Sequence, residues 1–274
     1  GHPLRKDFPL LARLVDSGAA AFRTWEFYSE CLVVSAVLFV GFTLIGFVLV
    51  VTVPRLLNLT ITPGKVYRLY GFHYWVHRLI VRLTNRKFFT EMFGDSSYIV
   101  GYLRSLGYKL TPVVQTGSNF GMAVQHENPY LSSVGSGTVV ADGLSLLNAD
   151  FSSTSFRVSD VSIGRDNFLG NHIASPAQGR TGDNCLLGTK VLVPIEGEVR
   201  EGVGLLGSPS FEIPRTVARD SNLDVQDPDE LRRLLHAKDR HNAVTIAVRL
   251  LTRWTHLFGL TMLSLGAVNL YQVW

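Results

Sequence analysis

IGRDNFLGNHIASPAQGRTGDNCLLGTKVLVP, residues 163–194, decides how this chain folds. Counted in sixes it places Ile163, Leu169, Ser175, Thr181, Leu187 and Val193 in one slot. The slot that follows holds Gly164, Gly170, Pro176, Gly182, Gly188 and Pro194. A repeat this short cannot bury its apolar face alone, so successive copies must stack into a continuous core. Each hexad then forms one face of a triangular coil, with the first residue pointing inward and a small residue fitting the tight corner. The reading is a mainly β protein, a left-handed parallel β-helix of hexapeptide repeats, in which residues 163–180 and 181–198 are two stacked turns. An earlier set, Val134, Val140 and Leu146, followed by Gly135, Ala141 and Leu147, keeps the period but runs one residue out of phase. An insertion is therefore expected between the two runs, within residues 151–160.

The flanking sequence is of another kind. CLVVSAVLFVGFTLIGFVLVVTV, residues 31–53, carries no charge and is long enough as a helix to cross a bilayer. A second uncharged run, 254–274, is expected to be another transmembrane helix, and both chain ends are expected to be boundaries within a longer protein. Arg55, Lys65, Arg68, Arg78, Arg82, Arg86 and Lys87 follow the first run, and Arg232, Arg233, Lys238, Arg240, Arg249 and Arg253 precede the second. The positive-inside rule then makes the intervening domain cytoplasmic and the chain a multi-pass protein of the inner (plasma) membrane. Nothing in the pattern points to nucleic acid.

The domain plan is an amphipathic lead-in helix over residues 1–30, the first span at 31–53, interfacial and capping helices over 54–107 and the β-helix over 108–215. A linker and helix over 216–253 then lead to the span at 254–274. Within 65–87, Val66, Leu69, His73, Val76, Ile80 and Leu83 fall on one side at helical steps, with Arg78, Arg82 and Arg86 on another. With Tyr67, Tyr70, Tyr74 and Trp75 interspersed, this reads as a helix lying on the membrane surface. Asp227-Pro228-Asp229-Glu230 opens another helix, with Asp as cap and Pro in the first turn.

Five strings are far more specific than the hexads: FGDSSYIVGYLRSLGY (93–108), QTGSNFG (115–121), HENPYLSSVGSGTVVADGLSLLNADFSSTSFRVS (126–159), GNHIASPAQGRTGDNCLLGTKVLVP (170–194) and VGLLGSPSFEIPR (203–215). They resemble the membrane-bound C-terminal domain of nonribosomal peptide synthetases of the ε-poly-lysine synthetase type. The resemblance implies adenylation and carrier domains elsewhere in the same synthetase, and transmembrane segments alternating with acyltransferase-like soluble domains. It also implies tandem copies of this domain, here expected to pack as a pseudo-trimer. The implied activity is amide (peptide or isopeptide) bond formation between a carrier-bound aminoacyl thioester and a free amine. No adenylation signature, no Gly-Gly-x-Ser carrier site and no His-His-x-x-x-Asp-Gly condensation motif occurs in this sequence. No cofactor is expected to bind directly, the phosphopantetheine thioester being delivered by the carrier domain.

Such chemistry needs a base to take the proton of the attacking amine. The candidates in the β-helix are His172 and His126, with Asn171 or Asn184 orienting the base or polarising the thioester carbonyl. Asp142, Asn148 and Asp150 could hold the acceptor's ammonium group. Only two histidines fall near the coils and a catalytic zinc needs three protein ligands, so no metal site is expected. The competing reading is a non-catalytic β-helix scaffold that docks the carrier domain or assists product export.

Overall fold

A computed structural model describes residues 24–94, 96–110, 119–214 and 227–273. By internal contacts the chain divides into two units, Gly1–Phe47 with Ala247–Trp274, and Val48–Ile246. The lead-in helix expected at residues 1–30 falls mostly outside the described residues.

In the first unit, Phe27 and Cys31 are buried against Phe258, Met262 and Leu265. The helix that begins there, α1, runs from Trp25 to Asn58 and is long and apolar enough to cross a membrane. Its side chains are mostly exposed. At the other end of the sequence the expected helix and second span are one continuous helix, Pro228–Val273, while the start of the expected linker lies outside the described residues. Its start is capped as the sequence indicated, with the Asp229 N–H donating to Asp227 Oδ1 at 3.1 Å. Among the described residues only α1 meets the length and apolarity needed to span.

The second unit is built on a parallel β-helix. Three coils are fully traced: β4 (Ser132–Val134), β5 (Val139–Val140) and β6 (Asp142–Leu146); then β9 (Val161–Ile163), β10 (Phe168–Leu169) and β11 (Ile173–Ser175); then β12 (Arg180–Thr181), β13 (Leu186–Leu187) and the stretch 191–193. Each coil visits three sheets in turn. One sheet has the order β12-β9-β4-β2, where β2 is Lys109–Leu110. The second is β11-β6-β3, where β3 is Asn119–His126, and it is extended by a bridge from Ala174 to Leu192. The third is β15-β14-β13-β10-β5, closed by the antiparallel pair β14 (Gly204–Leu206) and β15 (Phe211–Ile213).

Every residue of the hexad inward slot is buried: Val134, Val140, Leu146, Ile163, Leu169, Ser175, Thr181, Leu187 and Val193. The corners carry a second regularity. Asp166, His172, Gln178, Asn184 and Lys190, each one hexad from the next, all have φ between 54° and 65°, and Gly137 and Gly143 fill the same slots one coil earlier. A left-handed residue at each corner turns the chain through the edge of the triangle. It costs a non-glycine residue roughly 1–2 kcal/mol, least for Asn and Asp.

The phase break has a concrete cause. Ile163 pairs with Thr181, an offset of three whole hexads. Val134 pairs with Ile163 over a longer offset that is not a whole number of hexads, so that coil carries an insertion. The insertion is a hairpin of β7 (Ala149–Phe151) and β8 (Ser155–Val158), to which β1 (Val66–Arg68) adds antiparallel. It starts at Ala149, ahead of the window expected from the sequence. Phe156 and Val158 of this hairpin form a core with Ile61, Tyr67, Leu131, and Val76 and Ile80 of α2 (Phe72–Thr84). The expected single helix over 65–87 is thus a strand and a shorter helix. Its apolar side is covered by the protein's own hairpin and not by lipid. Two more helices, α3 (Lys87–Gly94) and α4 (Ile99–Leu106), follow, and α4 ends at Gly107 with φ 116°. The C-terminal helix Pro228–Val273 is α5.

Candidate functional site

The corner residues decide which side chains the coils present. His172 sits on the edge between β10 and β11, exposed, directly beyond Gly143 of the preceding coil. A Cβ built on Gly143 would stand 2.7 Å from His172 Nδ1, so the imidazole lies against the space that glycine leaves open. Asn171 is exposed beside it, and its carbonyl accepts the Lys190 N–H at 2.8 Å. Lys190 occupies the same corner on the next coil. Asp142 immediately precedes Gly143 on β6, which brings its backbone to this edge. The structure therefore groups His172, Asn171, Lys190 and the backbone of Asp142. Lys190 was not a sequence candidate, although its offset of three hexads from His172 would have marked it.

The other candidates lie elsewhere. Asn184 stands at the corner above Asp166, between β12 and β13, with its N–H donating to the Arg165 carbonyl at 2.8 Å. That is a different edge of the prism, so Asn184 does not orient His172. Asn148 is fully buried. Its Oδ1 accepts from the Asn128 N–H at 2.9 Å and the Ser132 hydroxyl at 3.2 Å, and its Nδ2 donates to the carbonyls of Leu131 and Ser159. An amide so fully engaged holds the first coil to the inserted hairpin and has no capacity left for an ammonium group. Asp150 accepts from Arg157 Nη2 at 3.0 Å and from Gln178 Nε2 at 3.3 Å, so its charge is already matched.

His126 is an interior residue, 2% exposed. It pairs with Leu146 across β3 and β6, which continues the inward stack Leu146–Ser175–Val193 by one level. Tyr108 meets its ring edge-on, with centroids 5.2 Å apart. Asn85 clamps its backbone, donating to the His126 carbonyl at 2.6 Å and accepting from its N–H at 3.2 Å. Neither ring nitrogen has a partner among the described residues, and burial lowers its pKa to about 3. A base is most effective with a pKa near the working pH. His126 is therefore poorly suited to act as the base expected from the sequence.

Concavities adjoin the coils among the described residues. A pocket of about 350 Å³ beside β3 is lined by Asn85, Thr90, Gln125 and Glu127 among others. Burial raises the Glu127 carboxyl above its ordinary range, partly offset by the Ala149 N–H it accepts at 2.7 Å. A cleft of about 500 Å³ at the β12 edge gathers Arg157, Arg180 and Arg200 with Asp160 and Glu198. Cys185 is buried inside the coils, its N–H donating to Asn167 Oδ1, which removes it from reach of a thioester.

No protein-family model and no curated protein matches this sequence. Two solved structures are similar to it. One is a maltose O-acetyltransferase from Clostridium difficile 630, at 16% identity and TM-score 0.36, covering 55% of this chain and 92% of that one. The other is a galactoside acetyltransferase in complex with coenzyme A, at 12% identity and TM-score 0.37, covering 61% and 92%. Likeness at this level bears on neither activity nor substrate.

Proposed function

We propose that this chain is a membrane-anchored acyltransferase-like domain of a nonribosomal peptide synthetase, forming amide bonds from a carrier-bound aminoacyl thioester and a free amine. The observation that supports it most is the His172 edge: an exposed imidazole seated over Gly143, with Asn171 beside it and Lys190 above. In the reaction the amine nitrogen attacks the thioester carbonyl while His172 accepts the amine proton. The tetrahedral adduct then collapses, breaking the C–S bond, and the imidazolium returns the proton to the departing pantetheine sulfur. The Asn171 side-chain amide donates to the carbonyl oxygen as charge grows there. The helix α1 holds the domain at the membrane, with the β-helix on the cytoplasmic face.

An exposed edge is half a site. The remainder comes from a neighbouring copy packed against it, as the pseudo-trimer expectation requires. A second reading also has an observation behind it: no hydrogen bond fixes the His172 ring among the described residues. That favours a scaffold which docks the carrier without catalysis. The test uses the full chain in nanodiscs with a loaded carrier domain supplied in trans and amide product followed by mass spectrometry. Replacing His172 by Ala is expected to slow product formation by about 100-fold or more, the usual worth of a general base. Unchanged product formation would leave the scaffold reading standing.

A further inference from the structure

The face that α2 turns away from the domain is not the one its sequence pattern suggested. Val76, His77, Ile80 and Thr84 are buried against the protein, leaving Phe72 and Trp75 outward at 66% and 63% exposure, with Leu79 beside them. Between these apolar side chains stand Arg78 and Arg82, and Arg86 and Lys87 follow at the turn into α3. An open groove of about 970 Å³ runs along this face, and no carboxylate lines it. Arg78 interacts with the Glu127 carboxylate, but no salt bridge closes on Arg82, Arg86 or Lys87 among the described residues.

We infer that this groove seats the phosphate headgroup of an anionic phospholipid, with Phe72, Trp75 and Leu79 entering the apolar boundary beside it. The inference rests on reading α1 as a membrane span and is independent of the acyl-transfer chemistry. Leu57, in the last turn of α1, and Ile61 just beyond it pack into the same core as Val76 and Ile80. The end of α1 that leaves the bilayer therefore meets the buried side of α2, and the groove lies on the outward side of the same short helix. Aromatic side chains are enriched at that depth because the ring suits both the apolar and the wet side. Guanidinium groups match phosphate with paired donors, and each cation near an anionic surface is worth about fivefold in local lipid enrichment.

The experiment uses the full chain in nanodiscs of phosphatidylcholine and phosphatidylglycerol, with bromine near the headgroup end of the acyl chains of one lipid or the other. The Trp75 signal is taken as the difference from Trp75→Phe. Brominated phosphatidylglycerol is expected to quench Trp75 several-fold more than brominated phosphatidylcholine at equal mole fraction. In Arg82→Gln/Arg86→Gln that preference should fall towards one. Equal quenching in the parent chain, or a preference unchanged in the double variant, overturns the inference. Phe42→Trp, at an exposed position midway along α1, separates the two readings in nanodiscs whose lipids carry bromine near the methyl end of the acyl chains instead. Quenching there without quenching at Trp75 means that the face meets an acidic protein instead of lipid. No quenching at Phe42→Trp removes the span itself, and the headgroup seat with it.

Discussion

Replacing Gly164 by Ala probes the coil stack at one of its tight corners. A Cβ at Gly164 would lie 2.5 Å from the carbonyl oxygen and 2.6 Å from the carbonyl carbon of Gly182 on the next coil, and would also meet Asp183. Ordinary contact needs about 3.4 Å, so the two backbones must part by roughly 0.9 Å. Neither partner is a side chain that can swing away. The bonds that cross this gap are short: the Gly164 N–H to the Thr181 carbonyl at 2.9 Å, and Asn167 Nδ2 to the Gly182 carbonyl at 2.9 Å. Losing both costs about 2 kcal/mol, and overpacking adds about 1–3 kcal/mol. The sum, about 3–5 kcal/mol, corresponds to a fall in melting temperature on the order of 10 °C for a domain of this size. Two reference substitutions separate the causes. Gly202 has φ 66° but open space around its Cβ, so Gly202→Ala should cost only ~1 kcal/mol from backbone conformation. Gly101 lies within α4 with nothing nearby, so Gly101→Ala should stabilise by about 0.5–1 kcal/mol. Urea unfolding in detergent micelles, followed by circular dichroism, measures all three. If Gly164→Ala proved no worse than Gly202→Ala, the coils would not stack as described.

Acid should weaken the fold through two interior histidines. Burial lowers His126 to about 3, and burial with the nearby Arg78 lowers His77 to about 4, whereas both titrate near 6.5 in the unfolded chain. The unfolded chain therefore binds protons that the folded chain refuses. Stability is full above about pH 6.5 and falls as the pH drops towards 4, by up to ~1.4 kcal/mol per pH unit for each histidine. His126→Leu should flatten that slope by one proton's worth in pH-dependent unfolding, and a slope identical to the parent's would count against an interior neutral imidazole. The pseudo-trimer expectation is checked by the mass of the reconstituted chain. Assembly into threes, or activity only alongside neighbouring copies, is expected, and a monomer fully active alone would remove the shared-edge site.

Much of the β-helix was legible because its rule is local and repeated. Hexad spacing forces one side chain in each repeat into the stack, and an out-of-phase set can only mean an insertion, which the β7–β8 hairpin supplies. The misreadings share a physical origin in contacts distant along the chain. The periodicity of α2 identifies an apolar side but not what covers it, and the cover is Phe156 and Val158, beyond the whole first coil. The offset from His126 to its stacking partner Leu146 is not a whole number of hexads, so counting in sixes does not place it inside. Asn148 reads as a turn residue, yet its amide is consumed by the backbone of the coil start and the hairpin it joins. His172 was readable as outward-facing from its hexad position alone. The glycine beneath it became visible only once the pairing of β6 with β11 aligned the coils.

The most direct measurement compares amide formation in a single turnover for His172→Ala and His126→Leu, both confirmed as folded by circular dichroism, against the parent chain with a loaded carrier. A loss of about 100-fold or more is expected for the exposed edge residue and little change for the interior one. Full activity in His172→Ala with loss in His126→Leu would contradict this expectation and move the chemistry inside the coils.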